Sequence, residues 1–168
     1  MKLKNNMKEL ILSVLVIWLP VLYGLYIYKE LPQELAVHFS FTGQADGLMN
    51  KELFLWGFPI VISLFQLFIY WTTVIQIITN KIFKHFIRWI IPIVALVLQT
   101  GILFRALNSE FNIRKMVLVL VGVVFIGLGN YIPKKVIVDQ HRKSTSRKLA
   151  YSLIVAGSLS LLCALFLG

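Results

Sequence analysis

The chain has 168 residues, of which 58% are hydrophobic and only 14% charged, with a mean hydropathy of +0.81. A water-soluble domain carries about a quarter of its residues charged, and a chain of this length cannot hide so much apolar surface inside one water-bounded core; a bilayer is the solvent this composition asks for. The lone Cys163 excludes an intramolecular disulfide and any multi-thiolate metal site, and the net charge of +10 reads as basic flanks that fix membrane orientation rather than as a nucleic-acid surface.

Taken in chain order, a basic leader, MKLKNNMK, precedes the first apolar run. That run is too long for a signal peptide and no small-residue cleavage site follows it, so it reads as a retained anchor with a kink at Pro20. Spans of roughly 20 apolar residues cross a bilayer as helices. They are expected at about 10–28, 53–79, 87–106, 115–132 and 149–167, and the apolar cores of all five lack Asp, Glu, Lys, Arg and His. The predicted fold class is therefore all-α and integral to the membrane. It is a single domain of five transmembrane helices in a bundle, with an ordered extracytoplasmic loop (29–52) between helices 1 and 2 and a basic cytoplasmic loop (133–148). The N-terminal segment, the stretch between the second and third apolar cores (Lys81, Lys84 and Arg88) and the 133–148 loop together carry twelve Lys and Arg; the two alternate segments carry five. The positive-inside rule then puts the N-terminus in the cytoplasm and the C-terminus outside the cell membrane. Tyr23, Tyr26, Tyr28, Trp56 and Trp89 fall near span ends, where aromatic rings favour the headgroup level.

Within the spans, Ser152, Ala156, Ser160 and Ala164 recur every four residues. Such a small-residue ridge lets helix backbones approach. It could meet Gly122, Gly127 and Gly129 of the fourth span, or a second copy in an oligomer. Gln66, Thr72, Thr73, Gln76, Gln99 and Thr100 can hydrogen-bond between helices. Pumps and proton relays keep an ionisable group at membrane depth, so the uncharged run cores argue against an ion-coupled transporter.

The polar stretch LPQELAVHFSFTGQADGLMNK, 31–51, interrupts the oil. Pro32 starts a turn after the anchor. Val37, Phe39 and Phe41 alternate with Ala36, His38, Ser40 and Thr42, the signature of a half-buried extended segment. TGQADG reads as a turn in which Gly43 and Gly47 can take positive φ. Asn50 is suited to cap the second helix, with Glu52 in its first turn. His38 and Asp46, closed by Lys51, suggest a structural clasp. A ligand contact, or an open two-ligand metal site or catalysis, are the other readings. Neither a third metal ligand nor a nucleophile with base and oxyanion hole can be named, so no metal site, cofactor or enzymatic activity is expected. Lys134, Lys135, Arg142, Lys143, Arg147 and Lys148 make the inner loop a partner for anionic lipid or for an acidic cytoplasmic protein.

Leu31-Pro32, His38-Phe39, Gly43, Asp46-Gly47 and Lys51, followed by Pro59, resemble the N-terminal domain of SdpI-type bacterial membrane proteins, and GNYIPK, 129–134, resembles the start of that family's second conserved segment. Ala36 stands where the family usually has a second Pro, and KKVIVDQHRKSTSRK replaces its Gly-x-Arg-x-Pro-Trp element, so the C-terminal family element is mostly missing. The resemblance implies immunity to a secreted membrane-active peptide or bacteriocin. The alternative is a membrane signalling anchor that sequesters a cytoplasmic regulator on sensing an outer ligand. The partners so implied are the bilayer, a secreted peptide toxin and a cytoplasmic regulator, without nucleic acid.

Overall fold

The structure is a computed structural model. It describes the backbone of residues 2–40, 42–75, 81–135 and 140–167, and the side chains of 6–40, 42–75, 81–131 and 147–167. Phe41 and Gln76 lie outside the described residues, as do the side chains of Lys134, Lys135, Arg142 and Lys143. The chain runs α1 (Lys2–Tyr26), β1 (Glu34–Phe39), β2 (Ala45–Asn50), a π-helical turn (Leu53–Gly57), α2 (Phe58–Ile75), α3 (Lys81–Leu107), α4 (Ile113–Lys135) and α5 (Gln140–Phe166). Five helical stretches are long and apolar enough to cross a membrane: Asn6–Tyr26, Leu53–Ile75, Lys81–Leu107, Ile113–Tyr131 and Arg147–Phe166. The protein is an all-α multi-pass membrane protein, and its ordered inter-helix segment is a small antiparallel hairpin.

Two expectations are corrected. The expected loop 133–148 is mostly helical, since α4 continues through Lys135 and α5 begins at Gln140. Hydropathy marks where oil ends, not where a helix ends, and Lys and Arg are good helix formers. The spans are also not free of charge. α3 starts at Lys81 and carries Arg88 on its buried face, while the first span includes Glu9.

The chain falls into two compact units. One comprises Met1–Ile75 with Ile87–Ile113. Its helices bury single faces. Ser13, Ile17, Pro20, Val21 and Gly24 point inward from α1; Pro59, Gln66, Tyr70 and Thr73 from α2; Arg88, Pro92, Ala95, Gln99 and Leu103 from α3. These are steps of three, four and seven, the period of a helix stripe. Gly24 leaves room for the Leu55 side chain, where a Cβ would collide. Trp18 tilts against Trp56 and donates from Nε1 to Ser63 Oγ at 3.1 Å. As the sequence suggested, Gln99 donates across helices, to the Ile17 carbonyl at 3.1 Å; Thr72 instead bonds the Ile69 carbonyl of its own helix.

The second unit comprises Gln76–Phe86 with Arg114–Gly168. Here α4 and α5 approach at their glycines. A Cβ on Gly122 would lie 2.9 Å from the Gly157 carbonyl oxygen, and one on Gly129 would lie 2.7 Å from that of Ala150. Ser160 Oγ donates to the Leu118 carbonyl at 2.7 Å, and Ala164 is buried. Ser152 and Ala156 are exposed, and Ser152 bonds the Lys148 carbonyl of its own helix. The four-residue ridge is therefore not one face. Four residues turn a helix by about 400°, so each step drifts about 40°. The contacting face is Ala150, Gly157 and Ala164, which recur every seven.

Candidate functional site

Both clusters of polar side chains that could carry function lie in the first unit, at opposite ends of α1. Glu9 and Tyr26 are separated by about 25 Å along that helix.

The hairpin follows the C-terminal end of α1. After Tyr26 the chain makes a tight turn, with Glu30 N–H donating to the Ile27 carbonyl at 2.9 Å and Leu31 N–H to the same oxygen at 3.2 Å. Leu35 is fully buried and roots β1, whereas β2 is largely exposed. Pairing runs Glu34 with Asn50, Leu35 with Met49, Ala36 with Leu48, His38 with Gly47 and Phe39 with Ala45. Val37 and Asp46 are each left without a partner, so the hairpin holds two bulges that cancel in register. Bulges re-aim side chains, and here they flank the contact that closes the tip: His38 Nδ1 lies 2.5 Å from Asp46 Oδ1. An ionised carboxylate can only accept, so Nδ1–H is the donor in this contact. Gly47 is required opposite His38, because a Cβ there would come within 2.8 Å of the His38 Cβ. Gly43 takes φ 87° in the tip, where its N–H donates to the Ser40 carbonyl at 2.9 Å.

The predicted residues thus divide. His38, Asp46, Gly43 and Gly47 form one constellation. Phe39 ends β1, and Pro32 is exposed in the turn before it. Lys51 does not close on Asp46. Its Nζ stands 4.3 Å from the Tyr28 ring centre and 3.4 Å from the Tyr28 and Leu31 carbonyls, tying the hairpin base to the end of α1. Tyr28 Oη donates to Glu52 at 3.0 Å, and that bond is the main reason its phenol is held above the ordinary value of 10.0, with desolvation and the Glu52 charge adding to it. Asn50 caps the following helical turn as expected, its Oδ1 accepting from Glu52 N–H at 2.8 Å. His38 and Asp46 side chains are 74% and 45% exposed, so the pair is available to solvent. Among the described residues no group of three His, Cys, Asp or Glu could hold a metal ion. Arg147 and Lys148 are exposed on α5.

Of the second cluster the sequence reading named only Gln66 and Thr73, as residues able to hydrogen-bond between helices, and missed the ion pair at its centre. Arg88 Nη1 lies 2.8 Å from Glu9 Oε2, and Nε donates to Thr73 Oγ1 at 2.9 Å. The guanidinium stands 4.0 Å from the Tyr70 ring centre, a cation–π contact. Tyr70 Oη donates to the Asn6 carbonyl. One turn away, Gln66 Nε2 donates to Ser13 Oγ at 3.0 Å and to the Arg88 carbonyl at 2.8 Å. Three helices therefore meet through one polar node. Its signal was present in the spacing: Asn6, Glu9 and Ser13, then Gln66, Tyr70 and Thr73, fall on single helix faces. Counting Arg88 as a basic flank at the edge of the span expected at 87–106 concealed the node.

Comparison with known proteins adds the following. Residues 15–62 match a family described as a domain of unknown function, DUF1648. That segment takes in the C-terminal half of α1, the whole hairpin, the π-helical turn and the start of α2. The curated "Immunity protein SdpI" of Bacillus subtilis (strain 168) is 27% identical over 124 residues, covering 74% of this chain and 59% of that protein. The chain thus spans about three-fifths of that relative's length. No solved structure matches. The matched domain and the curated relative together support an SdpI-type family for this multi-pass membrane protein.

Proposed function

We propose that this chain is a bacterial membrane immunity protein that protects its cell from a secreted, membrane-active peptide or bacteriocin. The observation that carries the reading is the similarity to Immunity protein SdpI, which extends along 124 residues and is not confined to the hairpin. In this reading the N-terminus is cytoplasmic and the hairpin faces outward. The five helices hold the protein in lipid, and the tip around His38 and Asp46, with exposed Leu48 on β2, is where an arriving peptide first meets it. The role is non-catalytic, a matter of binding the peptide or occupying its target.

The test is gain of resistance. A peptide-sensitive host expressing the chain is challenged with culture supernatant from a peptide producer. Survival above that of the empty-vector host is expected. Unchanged killing, with the protein verified in the membrane fraction, overturns the proposal. If killing is unchanged while transcription of a neighbouring operon shifts, the signalling-anchor reading takes its place, with the basic residues at 134–148 as the cytoplasmic docking segment.

A further inference from the structure

Two atoms of the polar node find no partner among the described residues. Arg88 Nη2 and Gln66 Oε1 are both buried without a hydrogen bond, in side chains only 1% and 0% exposed. Buried polar groups in folded proteins are almost always satisfied, by protein or by ordered water. The chemistry of the missing guest follows from the two atoms. Nη2 needs an acceptor and Oε1 needs a donor. The charge of Arg88 is already met by Glu9 at 2.8 Å. An added cation or anion would bring uncompensated charge into a desolvated site, at large cost. The guest is therefore neutral, and carries both a donor and an acceptor.

We propose that the node is a hydration site: bound water accepts from Arg88 Nη2 and donates to Gln66 Oε1. Water enters from the end where α1 begins, beside the half-buried Asn6 and the exposed Lys8. It lets an ion pair persist among apolar helices, because hydration lowers the cost of a charge at that depth. The first unit then has two halves of different character. Around Ile17 and Leu103, both 0% exposed, it is dry; around Arg88 it is wet. This inference does not rest on the immunity reading.

The experiment is water-edited solid-state NMR on the full chain, 15N-labelled, in hydrated bilayers. The Arg88 side-chain signal is assigned by its loss in Arg88→Lys, or, if that variant does not fold, by its through-space contact with the Tyr70 ring. Magnetisation is expected to reach the Arg88 guanidinium from water several-fold faster than it reaches the Leu103 amide, approaching the rate for exposed Arg147. Build-up at Arg88 as slow as at Leu103 overturns the proposal.

Discussion

Arg88 holds a full charge on the inward face of α3, and its value to the fold depends on whether Glu9 is present. Taking two ions out of water costs several kcal/mol each, and the attraction between them returns that only while both remain. Arg88→Met alone takes the buried cation from the Glu9 carboxylate, and Glu9→Gln alone takes the anion from the guanidinium. Each single substitution is expected to destabilise the protein by about 3–5 kcal/mol, whereas the double variant is expected to lose much less than the sum. Unfolding in mixed micelles reads this out, and simple additivity would show that the pair is not a coupled unit. His38 and Asp46 obey the opposite arithmetic. Their contact is exposed, and pairs of that kind contribute about 0–1 kcal/mol. His38→Ala is expected to leave a folded, fully expressed protein that still protects the host. Loss of protection from a folded variant would make His38 a ligand contact, not a clasp. Tyr28 supplies a pH signature. Its bond to Glu52 favours the protonated phenol, so its pKa in the folded protein lies above 10.0. The resulting stability is fully present below pH 10 and is lost as the pH rises through the folded pKa. Ultraviolet titration of the chain and of Glu52→Gln should differ by one tyrosine that ionises earlier in the variant; an unchanged titration curve would remove Glu52 as the cause.

At the level of elements, the α4–α5 seam separates two ways of reading small residues. A Cβ on Gly157 would lie 2.7 Å from the Gly122 carbonyl oxygen, yet Ala156, one residue earlier, is exposed. Gly157→Leu is expected to destabilise the second unit by about 1–3 kcal/mol or more through overpacking, and Ala156→Leu to be tolerated. Thermal inactivation of the two variants compares them directly. If Ala156→Leu proved the damaging one, the spacing-of-four ridge would be the working surface, in an oligomer or elsewhere. The same seam shows what could be read without coordinates. Five apolar runs and the Asn50 cap were legible because hydropathy and capping are local. Of the hairpin, β1 was legible as alternation in AVHF and the tip as a Gly-rich turn. β2 was not, since 45–47 were read as part of that turn; of its two glycines, Gly43 takes positive φ while Gly47 pairs with His38 in the strand. The hairpin's two bulges were not legible either, because register is set by cross-strand pairing, which no local pattern at Val37 or Asp46 reveals. The partner of Lys51 was missed for a related reason. Charge suggested Asp46, but His38 already holds that carboxylate, and the Tyr28 ring and carbonyls lie within reach of Nζ. Arg88 was read as a flanking charge because the apolar cores were drawn to exclude charge, which assumes the answer for any ion pair that helices can bury.

For the whole molecule, the proposal turns on which side of the membrane the hairpin occupies. Helix lengths alone are symmetric between the two orientations; the asymmetry is electrical. Lys2, Lys4 and Lys8, with Lys81, Lys84 and Arg88, and with the six basic residues from Lys134 to Lys148, fall in alternate segments. The segments between them hold only Lys29, Lys51, Arg105, Arg114 and Lys115. The burial of Arg88 against Glu9 withdraws one charge from that count, leaving eleven against five, and the bias keeps its sign. The proposed orientation, with the hairpin outward, rests on that bias, because short loops rich in Lys and Arg stay in the cytoplasm. In a Cys163→Ser background, a membrane-impermeant thiol reagent applied to intact cells is expected to label Gln44→Cys and to spare Ser144→Cys until the membrane is opened. The reverse pattern would put the His38–Asp46 tip inside the cell. A peptide arriving from the medium could not then meet it first, and protection, if observed, would have to work through the lipid-embedded helices.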